Sequence, residues 1–299
     1  MNTRASIIIP TRNRSSILAR SLASLAVGAF GFETPEVIVV DDCSTDETGK
    51  VIDGFRRLSG WPVQTVRQPR PLGANAARNA GLQVARGEVI VFIDDDVLVT
   101  QAWLSKLVAG LSESVPVVSG PVRLMADSPV PGRHRCELSS YLSDVPVPAR
   151  GAAGEIVPVA CNMAAFRWVF DLARFDETVR PPVEENDWLR RAGVSAEFVE
   201  HALVWHCKSE EELRVSTILR KAWRDGGEGG WWARERLRLP VRERRTFAMS
   251  SLRTSIRGLG HAMIRGCYGG IVVSVGELSR ALALVGVLNR GSRMPESWR

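Results

Sequence analysis

The sequence predicts an α/β fold, a mostly parallel sheet flanked by helices and followed by a C-terminal helical extension. Three observations carry this. Four short apolar runs, at residues 5–9, 36–40, 63–66 and 88–93, are continuous, not alternating, as strands are when helices cover both faces of a sheet. Segments of helical length separate them, the rhythm of βαβ units and a parallel sheet. Polar clusters close three of the four runs, at the carboxyl ends where open α/β sheets bind ligands.

In order, the β-branched run 5–9 is a buried strand ended by Pro10-Thr11-Arg12-Asn13. Ser15 and Ser16 then cap a helix whose apolar positions are Ile17, Leu18, Leu22 and Leu25. Strand 36–40 leads into Asp41-Asp42-Cys43-Ser44-Thr45-Asp46, rich in capping residues, and a helix over 45–58. Strand 63–66, helix 73–84 and strand 88–93 follow, the last running into Asp94-Asp95-Asp96. Beyond it the pattern predicts a helix at 103–111, a strand at 115–119, a Pro/Gly-rich loop region at 126–154 and a strand at 155–160. A short helix at 183–192 and strands at 196–199 and 202–205 come next. From residue 210 the chain turns helical and basic, with the glycines of 226–230 expected to act as a hinge. Residues 1–120 and 121–207 read as two halves of one domain, and 208–299 as an extension.

The 299 residues are 45% hydrophobic and 24% charged, ordinary for a globular protein. Cys43, Cys136, Cys161, Cys207 and Cys267 are scattered and form no CxxC pair, which argues against a disulfide framework and a structural zinc. The opening apolar run stops at Pro10, too short for a secretory leader, and no apolar span reaches about 18 residues. A cytoplasmic setting is expected, with the inner face of the membrane open to the tail.

Asp94-Asp95-Asp96 places three like charges together, so a compensating cation is expected nearby. Oxygen ligands of this kind suit Mg²⁺ or Mn²⁺, which also bind phosphates. The alternative is an acidic loop capping the next helix.

Four motifs occur in order: Ile7-Ile8-Ile9-Pro10-Thr11-Arg12-Asn13, residues 39–46 around Asp41-Asp42, residues 73–81 around Arg78-Asn79, and residues 91–96 ending in the aspartate triplet. Over about residues 5–207 the chain resembles family 2 glycosyltransferases, the inverting group with the Rossmann-like GT-A fold. The resemblance implies that Pro10, Thr11 and Arg12 line the nucleotide base. It implies that Asp41 or Asp42 contacts uracil or ribose, with Cys43 standing where glycine is common. Arg78 is implied near base or phosphate, and Asp94 and Asp95 at the sugar-nucleotide. Asp96 is the implied metal ligand, with Asp94, and His206 falls where many such enzymes place a histidine near the metal. Residues 183–191 resemble the segment that supplies the catalytic base, so Glu185, where aspartate is usual, or its neighbour Glu184 takes that role, braced by Asp187 and Arg191. Residues 159–165 resemble the loop that closes over the donor sugar, with contacts from Asn162 or Met163.

The implied reaction moves a sugar from a nucleotide diphosphate-sugar, a UDP-sugar by default, to a hydroxyl of a glycan, lipid-linked or small-molecule acceptor, with Mn²⁺ or Mg²⁺ as cofactor. A nucleotidyltransferase would want a glycine-rich, lysine-bearing loop after the first strand, which Pro10–Arg14 lacks. An inactive nucleotide-sugar-binding scaffold would not need the acidic triplet and the glutamate pair.

The net charge of +6 is uneven: residues 208–299 hold 18 Lys and Arg against 9 Asp and Glu. Ile271, Val272, Val275, Leu278, Leu282, Val285 and Leu288 recur near helical spacing. Packing on the catalytic domain or a homodimer mate is the plain expectation. An anionic membrane surface is the sharper one. Nucleic acid is not expected, since no recognised module accompanies the charge.

Overall fold

The computed structural model describes residues 4–126, 145, 148–150, 155–265, 268–286 and 288. In chain order its first elements are β1 (Ala5–Thr11), α1 (Ser15–Gly28), β2 (Glu36–Asp41), α2 (Thr48–Ser59), β3 (Val63–Arg67), α3 (Ala74–Val84), β4 (Val89–Ile93), β5 (Val97–Val99) and α4 (Trp103–Ala109). There follow β6 (Val117–Ser119), β7 (Val122–Ala126), β8 (Ala149–Arg150), β9 (Ile156–Val157), β10 (Asn162–Phe166), α5 (Val169–Leu172), α6 (Glu184–Ala192), β11 (Ala196–Phe198) and β12 (Val204–Lys208). The chain ends in α7 (Val215–Glu235), α8 (Val241–Arg265) and α9 (Tyr268–Leu284). It divides into two compact units, residues 1–123, 145–179 and 184–207 forming one and 124–144, 180–183 and 208–299 the other.

The first unit is built on a seven-stranded sheet ordered β11-β6-β10-β4-β1-β2-β3. β4, β1, β2 and β3 are parallel, and β10 runs antiparallel to both β4 and β6. Alternate strand residues enter two cores. Ile7, Ile9, Val37, Val39, Val91 and Ile93 pack on α1 and α4 through Leu18, Leu22, Leu25 and Trp103. Ile8, Ile38, Val40, Ile90 and Phe92 face α3 and α6 through Ala77, Leu82 and Trp188. Burial on both sides is why these strands read as unbroken apolar runs.

Three expectations are corrected. The loop expected at 159–165 is a loop only in part: residues 159–161 lie outside any strand, but Asn162–Phe166 is β10, an inner strand of the sheet, its first four residues buried. Strand 155–160 shrinks to Ile156–Val157. Ser15 does not cap α1 with its side chain; its backbone N–H instead donates to the Asp46 carboxylate, 2.9 Å away. Pro129 and Pro131 lie outside the described residues.

In the second unit α9 packs against both α7 and α8. The glycines at 226–230 make no hinge, because α7 runs through them unbroken. A Cβ on Gly226 would sit 2.0 Å from the Gly276 carbonyl oxygen, and one on Gly230 2.5 Å from that of Arg280. These glycines let two helices approach closely, an advantage that outweighs their poor helix propensity. Val272 and Val275 of the apolar run on α9 are buried, with Ala281 and Leu284 beside them, so part of that run serves packing within this unit.

Candidate active site

The parallel strands β1, β2 and β4 deliver their polar ends to one rim, and side chains tie the ends together. Asn13 sits in the left-handed region at φ 52°, which asparagine tolerates. Its N–H donates to Ser44 Oγ and its Oδ1 accepts from the Thr45 N–H. Asp46 spans the N-termini of α1 and α2, accepting from the N–H groups of Ser15 and Thr48. Slight burial pushes its carboxyl up, but these bonds outweigh that and hold it down at about 2.

Asp41 and Asp42 are buried and turned to different tasks. Asp41 accepts from the Ser44 N–H at 2.7 Å and pairs with Arg67. Asp42 accepts from the N–H groups of Leu72 and Gly73 at 2.7 and 2.9 Å. It thereby fixes the entry to α3, where Gly73 adopts φ 95°. Thr11 lies at the rim with its hydroxyl donating to Asp95 at 2.7 Å. Pro10 is partly buried at the end of β1 and Arg12 is solvent-exposed.

The aspartate triplet is divided among three partners. Asp94, the most exposed, meets Arg78 at 3.2 Å. Asp95 takes Thr11 and Arg14, the latter at 2.9 Å. Asp96 meets the same Arg14 nitrogen at 3.0 Å and His206 Nε2 at 2.8 Å. Burial raises the Asp95 carboxyl to about 6, opposed by Arg14 and reinforced by Asp96. Arg14 is the residue that sequence reasoning missed. The demand for a cation beside the triplet was its signal, but only the pairing of β1 with β4 reveals which arginine answers.

One ligand atom each from Asp94, Asp96 and His206 lie within 4.8 Å of one another. Two carboxylate oxygens and an imidazole nitrogen form a donor set suited to Mn²⁺ and accepted by Mg²⁺. The residues present therefore fit the expected metal.

Glu184 and Glu185 open α6, where a helix N-terminus favours negative charge. Glu185 is the more exposed and accepts the Ala160 N–H at 3.0 Å. Glu184 is 5% exposed, 3.9 Å from Arg78, and its Oε2 is buried without a hydrogen-bond partner. Burial, then the neighbouring Glu185 charge, raises Glu184 to about 8 against the pull of Arg78, and burial raises Glu185 as well. Arg78 is the hinge of the electrostatics. Burial disfavours its charge, but Asp94, Glu185 and Glu184 hold it firmly protonated. Below, Trp188 stacks on Phe170 and Phe175, and Arg191 pairs with Asp187 at 2.7 Å. Asp187 and Arg191 thus brace α6.

Asn162 does not face a donor. It is wholly buried, its Oδ1 accepting from Trp103 Nε1 and its Nδ2 donating to the carbonyls of Pro121 and Ala202. Its amide ties α4 and the β12 approach to the sheet. Met163 is likewise core.

Solved structures share this architecture. A mannosyltransferase from Pyrobaculum calidifontis, in complex with GDP-Man and Mn²⁺, aligns with TM-score 0.61 at 16% identity, over 95% of this chain and 74% of that one. Residues 1–349 of Staphylococcus aureus TarS in complex with UDP align with TM-score 0.54 at 17% identity, over 93% and 90%. The fold is therefore GT-A. The family profile of Glycosyl transferase family 2 matches residues 6–164; the chain belongs to that family. Among relatives, the poly(ribitol-phosphate) beta-N-acetylglucosaminyltransferase TarS of S. aureus is 33% identical over 108 residues, 36% of this chain and 19% of its own. A GalNAc(5)-diNAcBac-PP-undecaprenol beta-1,3-glucosyltransferase of Campylobacter jejuni is 32% identical over 117 residues, 39% and 37%. The matches span less than two-fifths of the length of these relatives.

Proposed function

We propose that this protein transfers a sugar from a nucleotide diphosphate-sugar, a UDP-sugar by preference, to an acceptor hydroxyl with inversion at the anomeric carbon. The observation that carries the reading is the convergence of Asp94, Asp96 and His206 beside a glutamate pair, with Arg78 reaching toward both. The preference for UDP is supported by the TarS complex with UDP; the GDP-Man complex of the mannosyltransferase keeps a guanine nucleotide in the test.

Asp94, Asp96 and His206 would hold Mn²⁺ or Mg²⁺, which when bound supplies charge neutralisation for the diphosphate. Thr11 and Asp95 shape the rim on the nucleotide side, and Arg14 and Arg78 add fixed positive charge where negative charge develops. Glu185 is the base. It is the more exposed of the pair, and the Ala160 N–H steadies one of its oxygens. It takes the acceptor hydroxyl proton while that oxygen bonds to the anomeric carbon and the bond from carbon to diphosphate breaks. Glu184, raised to about 8 by burial and then by the Glu185 charge, stays protonated beside it near neutral pH. The acceptor is a glycan, a lipid-linked sugar or a small molecule.

The test is a thermal-shift screen of UDP-, dTDP- and GDP-sugars with and without Mn²⁺, followed by transfer assays on the binders. A metal-dependent rise with one nucleotide class, by mass action, and transfer lost in Glu185→Gln are expected. Transfer retained by Glu185→Gln overturns the base assignment.

A further inference from the structure

Helix α8 has two unlike faces. Ala248, Ser251 and Ser255 are buried, and Ser255 and Ser274 of α9 exchange hydroxyl-to-carbonyl hydrogen bonds at 2.9 and 2.7 Å. That reciprocal pair fixes the helix's rotation. On the flank next to this buried face, Val241, Met249, Leu252, Ile256 and Leu259 are each between 38% and 62% exposed. At 100° per residue these five fall within a sector of about 80°. Arg245 stands within the sector, Arg242 and Arg253 follow along one border, and Arg257 lies further round the helix. Glu243 is the only acidic residue from 241 to 265, against six arginines, and it lies off the stripe.

We propose that α8 is an in-plane docking surface for an anionic lipid bilayer, its apolar stripe entering the headgroup layer and its arginines meeting lipid phosphates. An exposed apolar stripe bordered by arginine is the pattern of an interfacial helix. No helix among the described residues is long and apolar enough to cross a membrane, so the contact is with the surface. A second copy docking through the same stripe would cover its apolar residues but bring no carboxylate of α8 to Arg242, Arg245 and Arg253, since Glu243 lies off the stripe. A nucleic acid would satisfy the arginines and leave Leu252, Ile256 and Leu259 in water. A bilayer with anionic headgroups uses both features. The apolar run of α9 serves packing in part, the plainer of the two expectations, and the exposed stripe lies on α8.

The experiment is co-sedimentation of the full chain with vesicles of phosphatidylglycerol and phosphatidylcholine in equal parts, and with phosphatidylcholine alone. Binding to the mixed vesicles that weakens with salt and is slight on the neutral ones is expected. Arg242→Gln/Arg245→Gln/Arg253→Gln should weaken binding on the order of a hundredfold, each arginine near an anionic surface being worth roughly a factor of five. Met249→Glu/Ile256→Glu, at exposed sites, should abolish it while leaving the melting temperature and oligomeric state unchanged. Failure of the wild type to sediment overturns the proposal, as does undiminished binding by Met249→Glu/Ile256→Glu. So does conversion of a dimer to a monomer by that variant, which would make a second copy the occupant. The glycosyl-transfer reading stands or falls separately, by the nucleotide-sugar screen.

Discussion

Two acidic clusters of the site, Asp94-Asp95-Asp96 and Glu184-Glu185, are treated in opposite ways. The triplet is heavily countered: Arg14 touches two of its carboxylates, Arg78 a third, and His206 meets Asp96 at 2.8 Å. The pair has a 3.9 Å approach from Arg78 to Glu184 and, on Glu185, the Ala160 N–H. Close polar and cationic partners hold the triplet's carboxylates in fixed positions. A shortage of them leaves a proton contested between two neighbours. The first arrangement suits holding charge, the second suits moving a proton.

Removing a member of the triplet should give the largest effect. Asp96→Ala takes away a carboxylate of the three-residue donor set, and several kcal/mol of charge stabilisation go with it. Transfer is expected to fall by more than about a thousandfold, and the Mn²⁺-dependent thermal shift with the nucleotide-sugar should vanish. If that shift survives, the triplet is structural and the contrast fails. Next comes the residue that reaches toward both clusters. Arg78→Met leaves Asp94 and Glu184 without their buried counter-charge, and breaking such a pair costs about 3 kcal/mol. Chemical denaturation of the metal-free protein measures this, and unchanged stability would show that the clusters do not depend on one another. Glu185→Gln acts on the pair alone. We expect kcat to drop roughly a hundredfold or more while the donor-induced thermal shift persists, a split that loss of donor binding would contradict.

Much of this was legible in the chain. Four continuous apolar runs predicted the parallel core, and Asp94, Asp96 and His206, expected as metal ligands from the family resemblance, do converge. What escaped shares one cause, contacts between residues far apart in sequence. Asn162 is expected as a loop contact because residues 159–165 resemble the loop that closes over the donor sugar. Its burial becomes intelligible only once Trp103, Pro121 and Ala202 surround it. Arg14 lies more than eighty positions from the triplet, as its contacts with Asp95 and Asp96 record, and β1–β4 pairing alone unites them. The glycines of α7 read as a break because their partners, Gly276 and Arg280, are on another helix.

The smallest expected effect is also the one that isolates the contested proton. Glu184 has a folded-state value near 8 against 4.5 for a free glutamate. Between those values the folded protein binds more protons than the unfolded chain, so stability is full below about pH 4.5 and falls as pH rises toward 8. Asp95 contributes in the same direction, but from 3.8 to about 6, and is spent above that. The decline between pH 6 and 8 therefore belongs to the glutamates on the carboxylate side of the ledger. In metal-free buffer the wild type should lose about 2 kcal/mol over that interval, measured by urea denaturation at each pH. Glu184→Gln keeps the shape and removes both the titrating group and the like charge beside Glu185. The decline should flatten, because Glu185 then ionises beside Arg78 without a competing carboxylate. A variant that reproduces the wild-type slope would mean that the pair does not contest a proton.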